Sequence, residues 1–89
     1  MDFEWFEDKR LVTLAERGLD FRDARHLFDG RPLYSYPSPR KDEARTVSVG
    51  CIENRFIAVV WVERENRRRI ISMRRARDGE EKHYHALFG

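Results

Sequence analysis

The sequence FIAVVWVERENRRRIISMRRA, residues 56–76, decides the fold of this chain and raises the question of its function. Residues 56–62 are apolar at every position, which predicts a strand that is buried on both faces and lies in the centre of a sheet. Residues 63–66 are polar and predict a turn. The arginine-rich residues 67–76 then predict a second strand that returns antiparallel to the first.

The second strand carries more charge than a core accepts. Ile70 and Ile71 stand between two arginine clusters, and guanidinium groups stay charged and are rarely fully buried unless they are paired. At least one face of this strand must therefore present arginines to water or to an anion. Guanidinium binds phosphate in a bidentate manner and stacks on bases, so RNA is one candidate. A solubilising edge strand is the other, because edge charges block aggregation, and the arginines alone do not separate the two.

The composition indicates a small, heavily solvated domain. The chain has 89 residues, of which 40% are hydrophobic and 38% charged, and we expect one domain over residues 1–89. The formal net charge is only +2, but residues 1–30 carry a balance of −3 and residues 31–89 a balance of +5. Such a separation favours a polyanion at one end and a basic partner at the other.

The sequence predicts a cytoplasmic protein. A single cysteine, Cys51, excludes a disulfide within the chain and fits a reducing compartment. The longest apolar run has seven residues, whereas about 20 are needed to span a bilayer, so no membrane contact is expected. The acidic N-terminus lacks the pattern of a signal peptide.

The remaining elements follow from spacing and capping residues. Leu11, Leu14 and Ala15 predict a first helix that ends at Gly18. Asp20 is expected to cap a second short helix that ends near Gly30. Residues 33–36 allow an edge strand between prolines, residues 46–52 predict a half-buried strand, and a last helix is expected after Asp78. The predicted fold is α+β, with two N-terminal helices, a three- to four-stranded antiparallel sheet and a C-terminal helix.

Several catalytic motifs are missing from the sequence. It has no glycine-rich phosphate loop, no paired-cysteine metal spacing and no serine in a nucleophile elbow. His83 and His85 are two apart in the predicted helix, so their side chains diverge and no metal site is predicted. Such a chain can still cleave RNA, because the ribose 2′-hydroxyl is an internal nucleophile. The protein then supplies cations for the phosphate and groups that move protons.

The order of residues along nearly the whole chain resembles the BrnT family. The matching residues are Phe3-Glu4-Trp5, Lys9, Arg17-Gly18-Leu19-Asp20-Phe21, Ala24, Phe28-Asp29, Glu43, Arg45, Thr46-Val47-Ser48-Val49-Gly50, Arg69-Ile70-Ile71-Ser72-Met73-Arg74-Arg75-Ala76, Glu81 and Tyr84. The chain departs from the family pattern at three positions: Phe6 replaces an aspartate, Thr13 replaces a common asparagine, and Arg17 replaces a frequent histidine.

The resemblance implies a toxin of a type II toxin–antitoxin pair, with a fold similar to the RelE ribonuclease toxins. It implies RNA cleavage, inhibition of translation, and neutralisation by a BrnA-like antitoxin of the ribbon-helix-helix type. Because the sequence lacks metal-ligand spacing, we expect this cleavage to be metal-independent and to need no cofactor. The expected complex is a heterotetramer of two toxins and two antitoxins. The alternative is a catalytically degenerate module that still binds RNA or the antitoxin.

The resemblance and the charge pattern together select the candidate site residues. The catalytic candidates are Arg69, Arg74, Glu43, Arg45 and Lys9, and the additional RNA-binding candidates are Arg67, Arg68 and Arg75. Arg69 and Arg74 have opposite parity, so a regular strand would place them on opposite faces. A bulge or a strand end near Arg74 would bring them to one face. Otherwise one of them serves RNA and the other forms an ion pair.

Overall fold

A computed structural model describes residues 2–89, which fold around one mixed five-stranded sheet. The strands are β1 Asp2–Glu4, β2 Tyr34–Pro37, β3 Thr46–Ile52, β4 Arg55–Arg64 and β5 Arg67–Arg75. The helices are α1 Glu7–Arg17, a short 3-10 helix Phe21–His26, and α2 Asp78–Phe88. The strand order is β1-β5-β4-β3-β2, in which β1 runs parallel to β5 and every other pair is antiparallel.

The α+β class, the central position of β4 and the antiparallel return of β5 are confirmed. The predicted three- to four-stranded antiparallel sheet is wrong, because β1 adds a fifth, parallel strand along Arg67–Arg69. Three residues are too few for a period-two pattern to indicate a strand. Consequently β5 lies between two strands over Arg67–Arg69 and is not the sheet edge there, which removes part of the case for a solubilising edge.

The second predicted helix is shorter and tighter than expected. It is a 3-10 helix that ends at His26, not near Gly30, with the Leu27 N–H bonded to the Ala24 carbonyl three residues back. Its predicted cap is confirmed, since the Asp20 side chain accepts a hydrogen bond from the Arg22 N–H at 2.9 Å. The last helix, α2, begins one residue earlier than expected: Arg77 is its capping residue, and Asp78 is its first helical residue.

Helix α1 has the predicted C-terminal end, with Gly18 in the left-handed conformation at φ 68°, but it presents an unexpected face to the sheet. Its one buried residue is Arg10, which bonds Glu7 at 2.6 Å and Asp20 at 3.3 Å. Two apolar residues that were expected to face the core, Leu11 and Leu14, are exposed. Periodicity located this helix, but it did not show which face of the helix the sheet would cover.

A bulge in β5 changes which residues share a face. Trp61 of β4 lies opposite Ile70, and the preceding Val60 lies opposite Ser72, so Ile71 is an extra residue without a partner. Arg69 lies opposite Val62 and Arg74 opposite Ala58, two β4 positions of equal parity. Opposed residues of paired strands share a face, so the bulge brings Arg69 and Arg74 to the same side of the sheet.

The two faces of the sheet have different surroundings. The face that we call the core face packs against the 3-10 helix and carries the larger cluster, Leu19, Phe21, Ala24, Leu27, Ile57, Val59, Ile70 and Met73. The other, which we call the open face, has a smaller cluster of Val47, Val49 and Ala58. Helix α2 packs against β2 and β3 on the open face, and the surface beside it forms a cleft.

Gly50 of β3 tests the packing of the core face. A Cβ placed there would lie 2.4 Å from Leu27 Cδ2 and 2.8 Å from Leu33 Cδ2, and Leu27 is fully buried. We expect Gly50→Ala to lower the free energy of unfolding by about 1–3 kcal/mol, because it overpacks the core. Gly79→Ala is the matched control, since a Cβ there meets nothing within 4 Å. Urea denaturation of both variants measures the difference, and equal stabilities would contradict this packing.

Candidate active site

An open cleft of 450 Å³ lies on the open face, between α2 and the connection from β2 to β3. Four arginines line it: Arg40, Arg45, Arg74 and Arg77. Tyr36, Ser38 and Ser72 add hydroxyl groups, and none of the residues that line the cleft is acidic. Such a surface concentrates positive charge in a concave site, which attracts an anion.

Arg74 is fixed in the cleft by a two-point ion pair. Its Nη1 and Nη2 lie 2.7 and 2.9 Å from the two carboxylate oxygens of Glu80, a side chain that is only 7% exposed. The Arg77 backbone N–H also donates to Glu80 at 2.7 Å, and the Tyr36 hydroxyl donates to the same carboxylate. A guanidinium has five N–H donors, so this pair leaves Arg74 further donors for a ligand.

Glu80 is held as an anion by these donors. Burial alone would raise its pKa, but hydrogen bonds from Arg74, the Arg77 backbone and Tyr36 outweigh it and bring the pKa down from 4.5 to about 2. Burial, and then the contact with Glu80, raises the pKa of Tyr36, so this hydroxyl keeps its proton. Glu80 therefore acts as the anchor of Arg74.

The connection between β2 and β3 forms one lip of the cleft. Arg40 and Glu43 exchange two backbone hydrogen bonds of 3.0 Å, and the Ser38 N–H donates to the Arg45 carbonyl at 2.8 Å. Within this lip the Arg45 Nε lies 2.6 Å from Glu43 Oε1. The predicted Glu43–Arg45 pair thus exists, and Arg45 joins it to the cleft while the Glu43 carboxylate stays partly exposed.

The family model described as "Ribonuclease toxin, BrnT, of type II toxin-antitoxin system" matches residues 5–80. The chain belongs to the BrnT family. The match spans both sides of the cleft, from the Arg40 lip to Glu80, and confirms the family assigned from the sequence motifs. No curated protein matches the chain.

In this BrnT chain Arg69 and Arg74 share the open face, but each is bound to a different carboxylate, Glu4 or Glu80. Four residue steps of β4 separate their positions, which is about 13 Å along a strand. Arg69 donates to Glu4 at 2.7 Å, and its guanidinium lies 5.1 Å from the ring centre of Phe6. The hydrogen bond from Arg69 lowers the pKa of Glu4. Arg69 therefore lies outside the cleft, on the same surface.

The other predicted contact residues are dispersed. Arg67 is exposed on the open face, 3.6 Å from Glu4. Arg68 lies on the core face, 4.1 Å from the Phe28 ring centre and 4.9 Å from that of Trp61, and burial lowers its pKa. Its buried Nε has no hydrogen-bond partner, so packing on aromatic rings holds this arginine.

Lys9 and Arg75 are exposed, and neither is among the residues that line the cleft. Arg75 is opposite Ile57 and so belongs to the core face, whereas Lys9 is on α1. The ribonuclease roles predicted for both residues stay predictions.

Of the residues that line the cleft, only Arg45 and Arg74 belonged to the sequence-based site. The prediction did not include the lining residues Tyr36, Arg40 and Arg77, or Glu80, which anchors Arg74 from behind. The resemblance pointed to Glu81, but its neighbour Glu80 makes the contacts. A capping signal could have found Glu80, since it stands three residues after the capping residue Arg77 and accepts a hydrogen bond from its N–H. Nothing comparable in the sequence marks Tyr36 or Arg40.

Arg17 occupies the position where the family often has histidine. Its Nη1 donates to the Met73 carbonyl at 2.9 Å, beyond the end of β1, where the edge of β5 has no neighbouring strand. The side chain at this position thus satisfies a β5 backbone acceptor.

Metal ligands and membrane spans were also sought in residues 2–89. No group of three or more histidine, cysteine or acidic side chains there could hold a metal ion. No helix in the same range is long and apolar enough to cross a bilayer.

The Glu80 anchor predicts a specific acid sensitivity. Because its folded pKa of about 2 lies below 4.5, ionised Glu80 stabilises the fold above pH 4.5, and this contribution is lost as the pH falls from 4.5 towards 2. We expect Glu80→Gln to lower the free energy of unfolding by about 1–3 kcal/mol at pH 7, and by progressively less in acid. Urea titrations at pH 7, 4 and 3 measure this.

Glu81→Gln is the matched control, because this neighbouring glutamate of α2 forms no ion pair among residues 2–89. A loss of stability in Glu80→Gln that does not shrink between pH 7 and pH 3 would contradict the anchoring role.

Proposed function

We propose that this BrnT chain is a metal-independent endoribonuclease that cuts RNA in the cleft and thereby inhibits translation in the cytoplasm. The observation that supports it is the set of four arginines, Arg40, Arg45, Arg74 and Arg77, which surround one cleft beside the Glu43 carboxylate. The family description supplies the class of reaction, since the family is named a ribonuclease toxin.

In the proposed reaction, the arginines bind the scissile phosphate and offset the charge that develops on it. Arg74 suits this task because Glu80 already holds its guanidinium, so little reorganisation is needed when the substrate binds. Arg45 approaches from the opposite lip. Arg69 and Arg67 lie about 13 Å or more along the same face, where they bind neighbouring phosphates of the strand.

The 2′-hydroxyl next to the scissile phosphate is the nucleophile. Glu43, whose carboxylate reaches the lip of the cleft through its contact with Arg45, removes its proton. Glu80 lies behind Arg74, has a pKa of about 2 and is occupied by three donors. The 2′-oxygen bonds to phosphorus as the bond to the 5′-oxygen breaks, and the departing 5′-oxygen takes up a proton from water. The products are a 2′,3′-cyclic phosphate and a 5′-hydroxyl end. The ribose supplies the nucleophile, so the step requires no metal-bound water.

Neutralisation by a cognate antitoxin is part of the proposal. The family belongs to type II toxin–antitoxin systems, in which a toxin has an antitoxin partner. We propose a BrnA-like partner of the ribbon-helix-helix type, in a complex of two toxins and two antitoxins.

A binding module without catalysis is the second candidate. Arg17 favours it, because an arginine stands at the frequent histidine position of the family, and arginine is a poor proton donor or acceptor. A degenerate toxin of this kind would hold RNA in the same cleft without cutting it.

Substitutions in the cleft separate catalysis from binding. We expect Arg45→Ala and Glu43→Gln each to reduce the rate of RNA cleavage by at least about 100-fold, because an electrostatic or a proton-transfer contribution is lost. Arg55→Ala, an exposed arginine at the start of β4, is the control and should cut normally. Gel assays on a labelled RNA measure the rates, and full activity in Glu43→Gln would exclude Glu43 as the base.

The substrate itself tests the nucleophile. An oligonucleotide with a single 2′-deoxy residue at the cut site should bind but stay intact, and the cut RNA should end in a 2′,3′-cyclic phosphate, as read by mass spectrometry. Cleavage should continue in EDTA. Cleavage of the deoxy substrate would contradict the mechanism, and binding without cleavage of any RNA would favour the degenerate module.

A further inference from the structure

Helix α1 exposes the apolar side chains that its sequence pattern assigned to the core. Leu11 is 50% and Val12 54% exposed, and Leu14 and Ala15 are exposed beside them. The sheet instead receives the polar side of the helix, where Arg10 is buried and Arg17 reaches the Met73 carbonyl. A helix whose apolar stripe faces away from its own fold is typical of a surface that a partner covers.

An acidic rim borders this stripe. Asp8, Val12 and Glu16 are each four residues apart and so form one row along the helix, and Glu7 lies on the other side of Leu11. Asp8 and Glu16 are exposed and form no ion pair within the described residues, whereas Glu7 is bound to Arg10. Among the described residues of α1, Lys9, three residues before Val12, is the one exposed base beside this row, so the two acids Asp8 and Glu16 leave that side of the stripe with a net negative charge.

The rim argues against three occupants. RNA phosphates and an anionic lipid surface would both be repelled by Asp8 and Glu16. A second copy of the chain would bring the same patch against itself in a symmetric dimer, so the acidic rows would meet like charges. The complementary occupant is a polypeptide segment with an apolar stripe and lysine or arginine beside it.

We propose that the α1 stripe, Leu11, Val12, Leu14 and Ala15, is the surface on which the antitoxin lays an amphipathic segment with a basic flank. This inference rests on the proposed function for the existence of the antitoxin, and it adds where the antitoxin binds and which chemistry it presents. The stripe is separate from the arginine cleft. The protein would therefore bind a polypeptide at a surface with an acidic border and RNA in a positively charged cleft.

The position of Phe6 connects this surface to the open face. Phe6 caps the start of α1, is 58% exposed, and has the Arg69 guanidinium 5.1 Å from its ring centre. A segment that lies along α1 and reaches Phe6 would therefore contact Arg69. This contact gives the antitoxin a route to hinder RNA on the open face without entering the cleft.

The experiment uses the full chain and, as the probe, the purified protein encoded by the reading frame adjacent to this one. We expect the double variant Leu11→Ser and Val12→Ser to weaken binding at least tenfold by calorimetry, since two exposed apolar contacts are lost. Asp8→Lys with Glu16→Lys should weaken it by about threefold to tenfold at low salt, and the difference should shrink at high salt. Leu87→Ser, a 62% exposed leucine of α2, is the matched control and should bind normally.

Growth assays separate this inference from the proposed function. The Leu11 and Val12 variant should still arrest growth when expressed alone but should no longer be rescued by the antitoxin. Unchanged affinity, or a loss in Leu87→Ser only, would overturn the assignment. The assignment would also be overturned if the wild-type chain sedimented as a homodimer and the α1 variant as a monomer, because a second copy would then cover the stripe. Absence of growth arrest by the wild-type chain would contradict the ribonuclease proposal, while the calorimetry would still decide the α1 surface.

Discussion

The pairing of β4 with β5 is the constraint on which the rest of the structure depends. Residue Ile71 is extra in this pairing, and its insertion turns the two halves of β5 so that Arg69, Ser72 and Arg74 share a face. Without the bulge, Arg74 would lie on the core face, on the same side as Ile70, and Glu80 could not anchor it in the cleft. A single unpaired residue therefore determines which arginines of β5 lie on the open face.

The arginine side chains have three kinds of surroundings in this structure. Arg74 and Arg10 are paired with carboxylates while their own side chains stay at low exposure: Glu80 pairs with Arg74, and Glu7 and Asp20 pair with Arg10. Arg68 is packed against the rings of Phe28 and Trp61 and leaves its Nε without an acceptor. The arginines of the cleft lip stay accessible. High charge in this chain is thus partly structural, and the arginines proposed to bind RNA are those that line the concave surface, including Arg74, whose ion pair leaves it further donors.

Sequence reasoning succeeded where a pattern extends over many residues. The unbroken apolar run of β4, the helix caps at Gly18 and Asp20, and the collinear family motifs all correspond to the structure or the family match. It failed where an element is very short or where tertiary packing decides which side is buried. The three-residue β1 was missed, and α1 buries its polar side instead of its apolar side. Two of the residues that line the cleft, Arg74 and Arg45, follow motifs in the sequence, whereas Glu80 and Tyr36 are brought together only by folding.

The parallel pairing of β1 with β5 has a consequence for how the molecule assembles. Glu4 and Arg69 are 65 residues apart in the chain, whereas the β4–β5 hairpin joins near neighbours. Closing so long a loop costs more entropy than closing a hairpin turn, so we expect the hairpin to form early and β1 to dock late. During synthesis the sheet cannot be completed until β5 has left the ribosome. We therefore expect β1, the strand that carries Glu4, to join the sheet after strands from later in the chain have already paired.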